Sequence, residues 1–282
     1  MRIRPAAAAP YALAAVAFLI LFAKPLILLG RDWWTDPEAG HGLLLAPMAV
    51  WLAWRRGLVT APRPARWLGV TCIVAGVLLR YLSGLAAELF TMRLSIVVAG
   101  AGLVLFFLGV RQLLAWWLPA TLILLSIPLP AVLTNTLALP LQLRASRWGA
   151  ALLQFRHVPA QLSGNVIRLP NRDLFVTEAC SGLRSLTALL SLGVLAGGLW
   201  LRHPLSRALL ILLAIPVAVV VNAVRVFLTG FLVDMVSPDL GAGFMHLSEG
   251  WLMFVAAFAI LGGLTFGLAR VEALLGRRPT DG

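Results

Sequence analysis

Apolar residues in this chain come in runs too long for the core of a soluble domain. They occupy about 11–29, 42–54, 67–83, 94–110, 113–129, 181–200, 207–233 and 249–269, with most of the arginine and proline in the connections. A helix rises about 1.5 Å per residue, so runs of this length match a hydrocarbon core of roughly 30 Å. The pattern predicts an all-α integral membrane protein, a polytopic bundle of about eight transmembrane helices forming a single domain over 1–282. The second run is short, and it is kept as a span because Trp51 and Trp54 precede Arg55 and Arg56 as interfacial anchors do. The run from Tyr11 to Leu29 follows Arg2 and Arg4 like a signal peptide but is long enough to cross, so it reads as an uncleaved first helix.

The connection 130–178 breaks the rhythm. Its first half, 131–155, mixes apolar residues with Arg144 and Arg147 and reads as an amphipathic helix lying at the outer interface, arginines on its wet side. After Gly164-Asn165, the runs Val166–Leu169 and Leu174–Thr177 flank a turn-like Pro170-Asn171-Arg172-Asp173 and predict a short β-hairpin leading into Cys180.

Composition agrees with a membrane protein: 61% of residues are hydrophobic and 12% charged. The formal charge of +12 would suggest nucleic acid in a soluble chain. Here the basic residues sit mostly in short connections, where they orient helices, and nucleic acid is discounted. Arg2 and Arg4, then Arg55, Arg56, Arg63 and Arg66, then Arg111, then Arg202 and Arg207, then Arg270, Arg277 and Arg278 all fall on one side. Both termini are then cytoplasmic, and Asp32, Asp36, Glu38, Glu88, Asp234, Asp239 and Glu249 lie opposite. Making 131–155 a ninth span would move the last five of those arginines outside, a larger violation than the arginines of one long loop. Two cysteines, Cys72 and Cys180, indicate neither a disulfide framework nor a thiolate zinc site, and no metal or other cofactor is expected.

Chemistry concentrates in three places. Glu178-Ala179-Cys180-Ser181-Gly182-Leu183-Arg184 opens the sixth run. A thiol at a helix N-terminus faces the positive end of the macrodipole, and Arg184 one turn on favours thiolate further. Thr187 and Ser191 continue that stripe as a polar seam expected to face other helices. A small cysteine that merely packs, as Cys72 does among valines and isoleucine, is the plain alternative. In the seventh run Asn222, Arg225 and Thr229 share one face, with Arg225 about 12 Å below the outer end counted from Val233. An arginine at that depth reads as functional before it reads as snorkelling, and as a permanent cation it can stabilise an oxyanion but not act as a base. His246-Leu247-Ser248-Glu249 precedes the last run, where Glu249 could orient the imidazole or complement the helix N-terminus. The inferred topology brings Cys180, Arg225 and His246 to one leaflet, as one catalytic site requires. His41-Gly42 opens the second run on the same side, with a structural role the simpler explanation.

At these residues the chain resembles the exosortase family, relatives of the archaeosortases. The resemblance rests on Ser181-Gly182-Leu183-Arg184 after Cys180, the Asn222 and Arg225 pair, the histidine before Glu249-Gly250-Trp251, Gly164-Asn165-Val166-Ile167, and His41-Gly42 leading to Trp54-Arg55-Arg56. It implies a catalytic Cys180, Arg225 and His246; Arg184, Asn222, Glu249, Glu178 and His41 stand beside them as supporting candidates read from the residues themselves. It also implies membrane-anchored precursor proteins as partners, each with a C-terminal sorting signal of the PEP-CTERM kind, and a link to exopolysaccharide. Two other classes remain open on the residues alone. A polytopic transporter or lipid flippase would use Arg225 for an anionic substrate, though paired repeats and broken midplane helices are not evident. A non-catalytic scaffold would leave the pairing of Cys180 with Arg184 without a purpose.

Overall fold

Proline and aromatic residues decide where the apolar runs stay straight. The computed structural model describes residues 5–36, 38–170, 173–176, 183–235 and 244–275, about 80% of them helical. The chain divides into two compact units, Met1–Pro130 and Ala131–Gly282.

In the first unit the opening run is not one rod. It forms α1 (Pro5–Leu21) and α2 (Ala23–Thr35), bent by 67° at Phe22. Pro25 has no N–H to offer the Leu21 carbonyl, and its ring crowds that carbonyl, which favours a bend just ahead of it. Phe22 fills the bend, buried with Leu29, Ile96 and Ala99 and stacked on Phe18 at 4.8 Å. The fifth run breaks in the same way, into α6 (Val110–Ala115) and α7 (Trp117–Leu125). Pro119 leaves the Ala115 carbonyl without its helical partner, and Arg56 Nη1 donates to that carbonyl at 2.7 Å. Between these breaks lie α3 (Gly42–Arg56), α4 (Arg66–Leu85) and α5 (Leu89–Phe107). α4 and α5 form a tight antiparallel pair because glycines let the backbones meet: a Cβ on Gly69 would stand 2.5 Å from the Phe106 nitrogen, and one on Gly76 2.7 Å from the Ala99 Cβ. At the turn between them Glu88 caps α5, accepting from the N–H groups of Phe90 at 3.0 Å and Thr91 at 2.6 Å. The Thr91 hydroxyl and backbone N–H together hold the Glu88 carboxyl below the usual carboxylate range, against the effect of its partial burial.

The second unit is built on α10 (Pro204–Met235). α8 (Ala131–Phe155) packs along its later half through a small-residue face: Gly149 meets Val226, and Leu153 meets Gly230. Arg144 and Arg147 of α8 are exposed, as are its apolar Leu139, Trp148 and Phe155. The predicted hairpin is a three-stranded antiparallel meander of β1 (Gln161–Ser163), β2 (Val166–Arg168) and β3 (Asp173–Phe175). The added strand β1 is exposed at every position, so it carries no alternation to announce it. Gly164, at φ 64°, makes the β1–β2 turn, and Asp173 pairs with Arg168 inside the ladder rather than in the turn. Ile167, Leu169 and Val176 bury the sheet's inner face with Ala145, Leu153, Val226 and Val233. The earlier half of α10 packs on α9 (Leu183–Trp200) and α11 (Phe244–Leu275) through Leu189, Leu210, Ala214, Ala218, Ala257 and Leu261.

Four helices among the described residues are long and apolar enough to cross a membrane, Arg66–Leu85, Leu89–Phe107, Pro204–Met235 and Leu252–Leu275, and up to five if the bent α1–α2 pair is one span. The second, fifth and sixth runs form shorter helices, so length and composition establish four or five crossings of the eight read from the sequence.

Candidate functional site

α10 is 32 residues long, roughly 48 Å, and exceeds the thickness of a hydrocarbon core. Its polar residues sit where its packing changes hands. The cluster with α9 and α11 reaches Ala218 and Val221, while the cluster with α8 and the sheet begins at Val226 and Phe227. Asn222 is buried and Arg225 half-buried between them, and the Arg225 Nε is shielded from solvent. Thr229 is buried one turn on, its hydroxyl donating to the Arg225 carbonyl at 3.0 Å. This helix runs unbroken past Arg225, so the guanidinium is not needed to close a gap in the backbone.

The register of the neighbouring helices brings two further stretches to this height. Gly197 lies against Arg207, and Gly193 against Ile211 and Ala214. Helix rise alone then sets Leu183, where α9 begins, about level with Val221. On the other side, Ala257 and Leu261 share a cluster with Ala214 and Ala218. Glu272 accepts from the N–H groups of Arg202 and His203, each at 2.9 Å. In that antiparallel register the backbone of His246, third residue of α11, comes about level with Thr229. The start of α9, Arg225 and the His246 backbone thus fall within roughly 12 Å of height in one compact unit.

Cys180 and Glu178 lie outside the described residues, as do the side chains of Arg184, His246 and Glu249. The polar seam after Cys180 does face protein: Ser191 is buried, donates to the Thr187 carbonyl at 2.8 Å, and Thr187 is half-buried. His41 belongs to the first unit. It is the N-cap residue of α3, half-buried, with Nε2 3.1 Å from the Leu125 carbonyl, which ties α3 to the end of α7.

Two features escaped the sequence reading. Asn165 grips Val176 from both sides, its carbonyl accepting from the Val176 N–H at 2.9 Å and its Nδ2 donating to the Val176 carbonyl at 3.1 Å. Val176 is buried in the same cluster as Val226, so the chain that leads toward Cys180 leaves from a fixed point beside α10. Gly164-Asn165 was legible as a turn, but not which residue its amide would hold. The second is an ion pair between Arg93 of α5 and Asp32 of α2, with Arg93 buried. Each residue stands at the edge of an apolar run, where sequence marks a helix end and gives no sign of a partner. Among the described residues no group of three His, Cys, Asp or Glu could hold a metal ion.

A family model described as transmembrane exosortase (Exosortase_EpsH) matches residues 33–263, running through both units. Comparison with curated proteins and with solved structures gives no match. The chain belongs to the transmembrane exosortase family, which supports in general terms a multi-pass membrane protein with a transpeptidase or protein-sorting role.

Proposed function

We propose that the chain is a cysteine transpeptidase that removes a C-terminal sorting signal from exported, membrane-anchored proteins at the outer face of the cytoplasmic membrane. The observation that supports this most is the common height, in one unit, of the start of α9, Arg225 and the His246 backbone. Cys180 lies three residues before α9, within reach of that level. In this reading the protein crosses the inner membrane eight times with both termini in the cytoplasm, and α8 lies at the periplasmic interface.

The Cys180 thiolate attacks a backbone carbonyl of the substrate, and Arg225 stabilises the oxyanion of the tetrahedral intermediate. Its collapse breaks the C–N bond; the departing amine takes a proton from His246, leaving a thioester on Cys180. An acceptor amine, hydroxyl or water then attacks the thioester, giving its proton to neutral His246 and restoring the thiolate. Arg184 and the α9 N-terminus favour the thiolate before attack, Asn222 flanks Arg225, Glu249 orients His246, and Glu178 precedes the nucleophile. His41 has a structural part, tying α3 to the end of α7 within the first unit. The acceptor decides between transfer and hydrolysis, and the same residues serve both.

The test is co-expression with a precursor carrying a PEP-CTERM-like signal, followed by mass analysis of the new C-terminus. Cys180→Ala abolishes conversion, while Cys72→Ala leaves it intact. Conversion at the normal rate by the Cys180→Ala protein removes the nucleophile, and a transporter that uses Arg225 for an anionic substrate becomes the better account.

A further inference from the structure

One end of the first unit gathers arginines that the proposed chemistry does not use. Arg55 and Arg56 end α3, Arg63 lies in the connection to α4, Arg66 begins α4, and Arg111 lies in α6; all are exposed. No acidic residue occurs between Glu38 and Glu88, or between Glu88 and Asp173, so nothing along these stretches offsets the charge. Arg56 is engaged structurally, through the Ala115 carbonyl and the Trp117 ring at 5.9 Å. The other four point their charge outward.

This surface is clamped in place. Gln112, only 1% exposed, donates to the Gly57 carbonyl at 3.1 Å and accepts from the Val59 N–H at 2.7 Å. Trp116 Nε1 donates to the same Gly57 carbonyl at 3.2 Å, and the Ala65 N–H bonds the Leu105 carbonyl at 2.9 Å. Gly109, at φ 86°, lets the Arg63 carbonyl approach to where any Cβ would stand, 1.8 Å away. A connection needed only to join two helices has no use for a buried glutamine that holds it at two backbone groups. Around it, Trp54 is 79% and Trp67 88% exposed, and Arg55 lies 4.9 Å from the Trp51 ring centre. Exposed tryptophan beside arginine is the composition of the headgroup layer, apolar on one edge and charged on the other.

We propose that this end of the first unit is a preformed receptor for the phosphates of anionic phospholipids in the leaflet it meets, with Arg55, Arg63, Arg66 and Arg111 as the contacting cations. Arginine suits the role because its planar fork pairs with two phosphate oxygens. The fixed loop separates a receptor from a diffuse basic field, since it sets where those forks stand.

The full chain, purified in a neutral detergent, is titrated with phosphatidylglycerol or phosphatidylcholine, and retained lipid is counted by native mass spectrometry. Preferential retention of phosphatidylglycerol is expected. The combined Arg55→Gln, Arg63→Gln, Arg66→Gln and Arg111→Gln variant loses the preference, while Arg144→Gln, Arg147→Gln and Arg168→Gln on the second unit keep it. Single variants Arg63→Gln and Arg66→Gln each weaken it by roughly fivefold, so the test does not depend on the quadruple variant folding. Gln112→Ala leaves every charge in place and releases the loop; it lowers the preference too. The proposal is overturned if either single variant retains phosphatidylglycerol as the parent does, if the second-unit variants lose it equally, or if Gln112→Ala has no effect.

Discussion

The two units use intramembrane charge differently. In the first, three charged side chains each close on a local partner. Arg56 satisfies the carbonyl that Pro119 frees, Glu88 caps the first turn of α5, and Arg93 pairs with Asp32 across α5 and α2. In the second, Arg225 stands in an unbroken helix, between two apolar clusters and beside buried Asn222 and Thr229. The contrast gives a physical criterion for an arginine within a bundle. One that repairs a helix break contributes to folding, whereas one in an unbroken helix at a polar cluster is a candidate for chemistry, to be tested by substitution.

Substitution at Arg225 tests that criterion where the expected effect is largest. Arg225→Lys is expected to slow precursor processing nearly as much as Arg225→Ala, by roughly a hundredfold or more, because an ammonium cannot reproduce a planar fork aimed at an oxyanion. The amount of protein in the membrane stays near normal. Processing close to normal in the lysine variant would reduce Arg225 to a positive charge and erase the contrast between the units.

The Arg93–Asp32 pair should behave in the opposite way. Asp32→Asn leaves a buried guanidinium without its counter-charge; because Asp32 is partly open to solvent, the cost falls below the fully buried case, at about 2–3 kcal/mol. The thermal midpoint and membrane abundance fall together, while processing per surviving molecule holds. Replacing both partners, Arg93→Met with Asp32→Leu, recovers most of the stability, since no lone charge remains buried. A double variant as unstable as Asp32→Asn would mean that the pair's contribution lies in specific hydrogen bonding.

How far such roles can be read from sequence depends on the range of the interaction. The apolar runs show the helices because burial in lipid needs only composition, and the three offsets of Asn222, Arg225 and Thr229 needed only the helical period. Helix breaks were local too: Pro25 and Pro119 stood in the sequence, but their runs were long and apolar enough to read as single spans. Strand β1 was missed because exposed Gln161–Ser163 has no apolar face. The ion pair Arg93–Asp32, the Asn165 grip on Val176 and the Gln112 clamp join residues far apart in the chain, and no period or spacing encodes them. Catalytic candidates were legible for the opposite reason, since a thiol, a guanidinium and an imidazole are conspicuous in an apolar chain.

The smallest expected effect concerns Glu88, whose role in the first unit is a helix cap alone. Its carboxylate accepts from the Phe90 and Thr91 N–H groups and from the Thr91 hydroxyl, with Arg93 nearby, so the charged form is favoured and the carboxyl stays ionised to lower pH than in the unfolded chain. A depressed folded pKa means that the unfolded state binds the proton first as pH falls. The contribution is therefore complete above the unfolded value of about 4.3 and is lost as pH drops through the folded value. Glu88→Gln keeps the side-chain length and removes the charge, and is expected to cost about 0.5–1 kcal/mol at neutral pH, the low end for a cap because the carboxylate is partly open to solvent. The gap in thermal midpoint between parent and Glu88→Gln, measured in detergent at neutral pH and again near pH 3, should narrow in acid. A gap that stays constant with pH would assign the cap to hydrogen-bond geometry without charge, and would remove Glu88 from the charges that hold the first unit together.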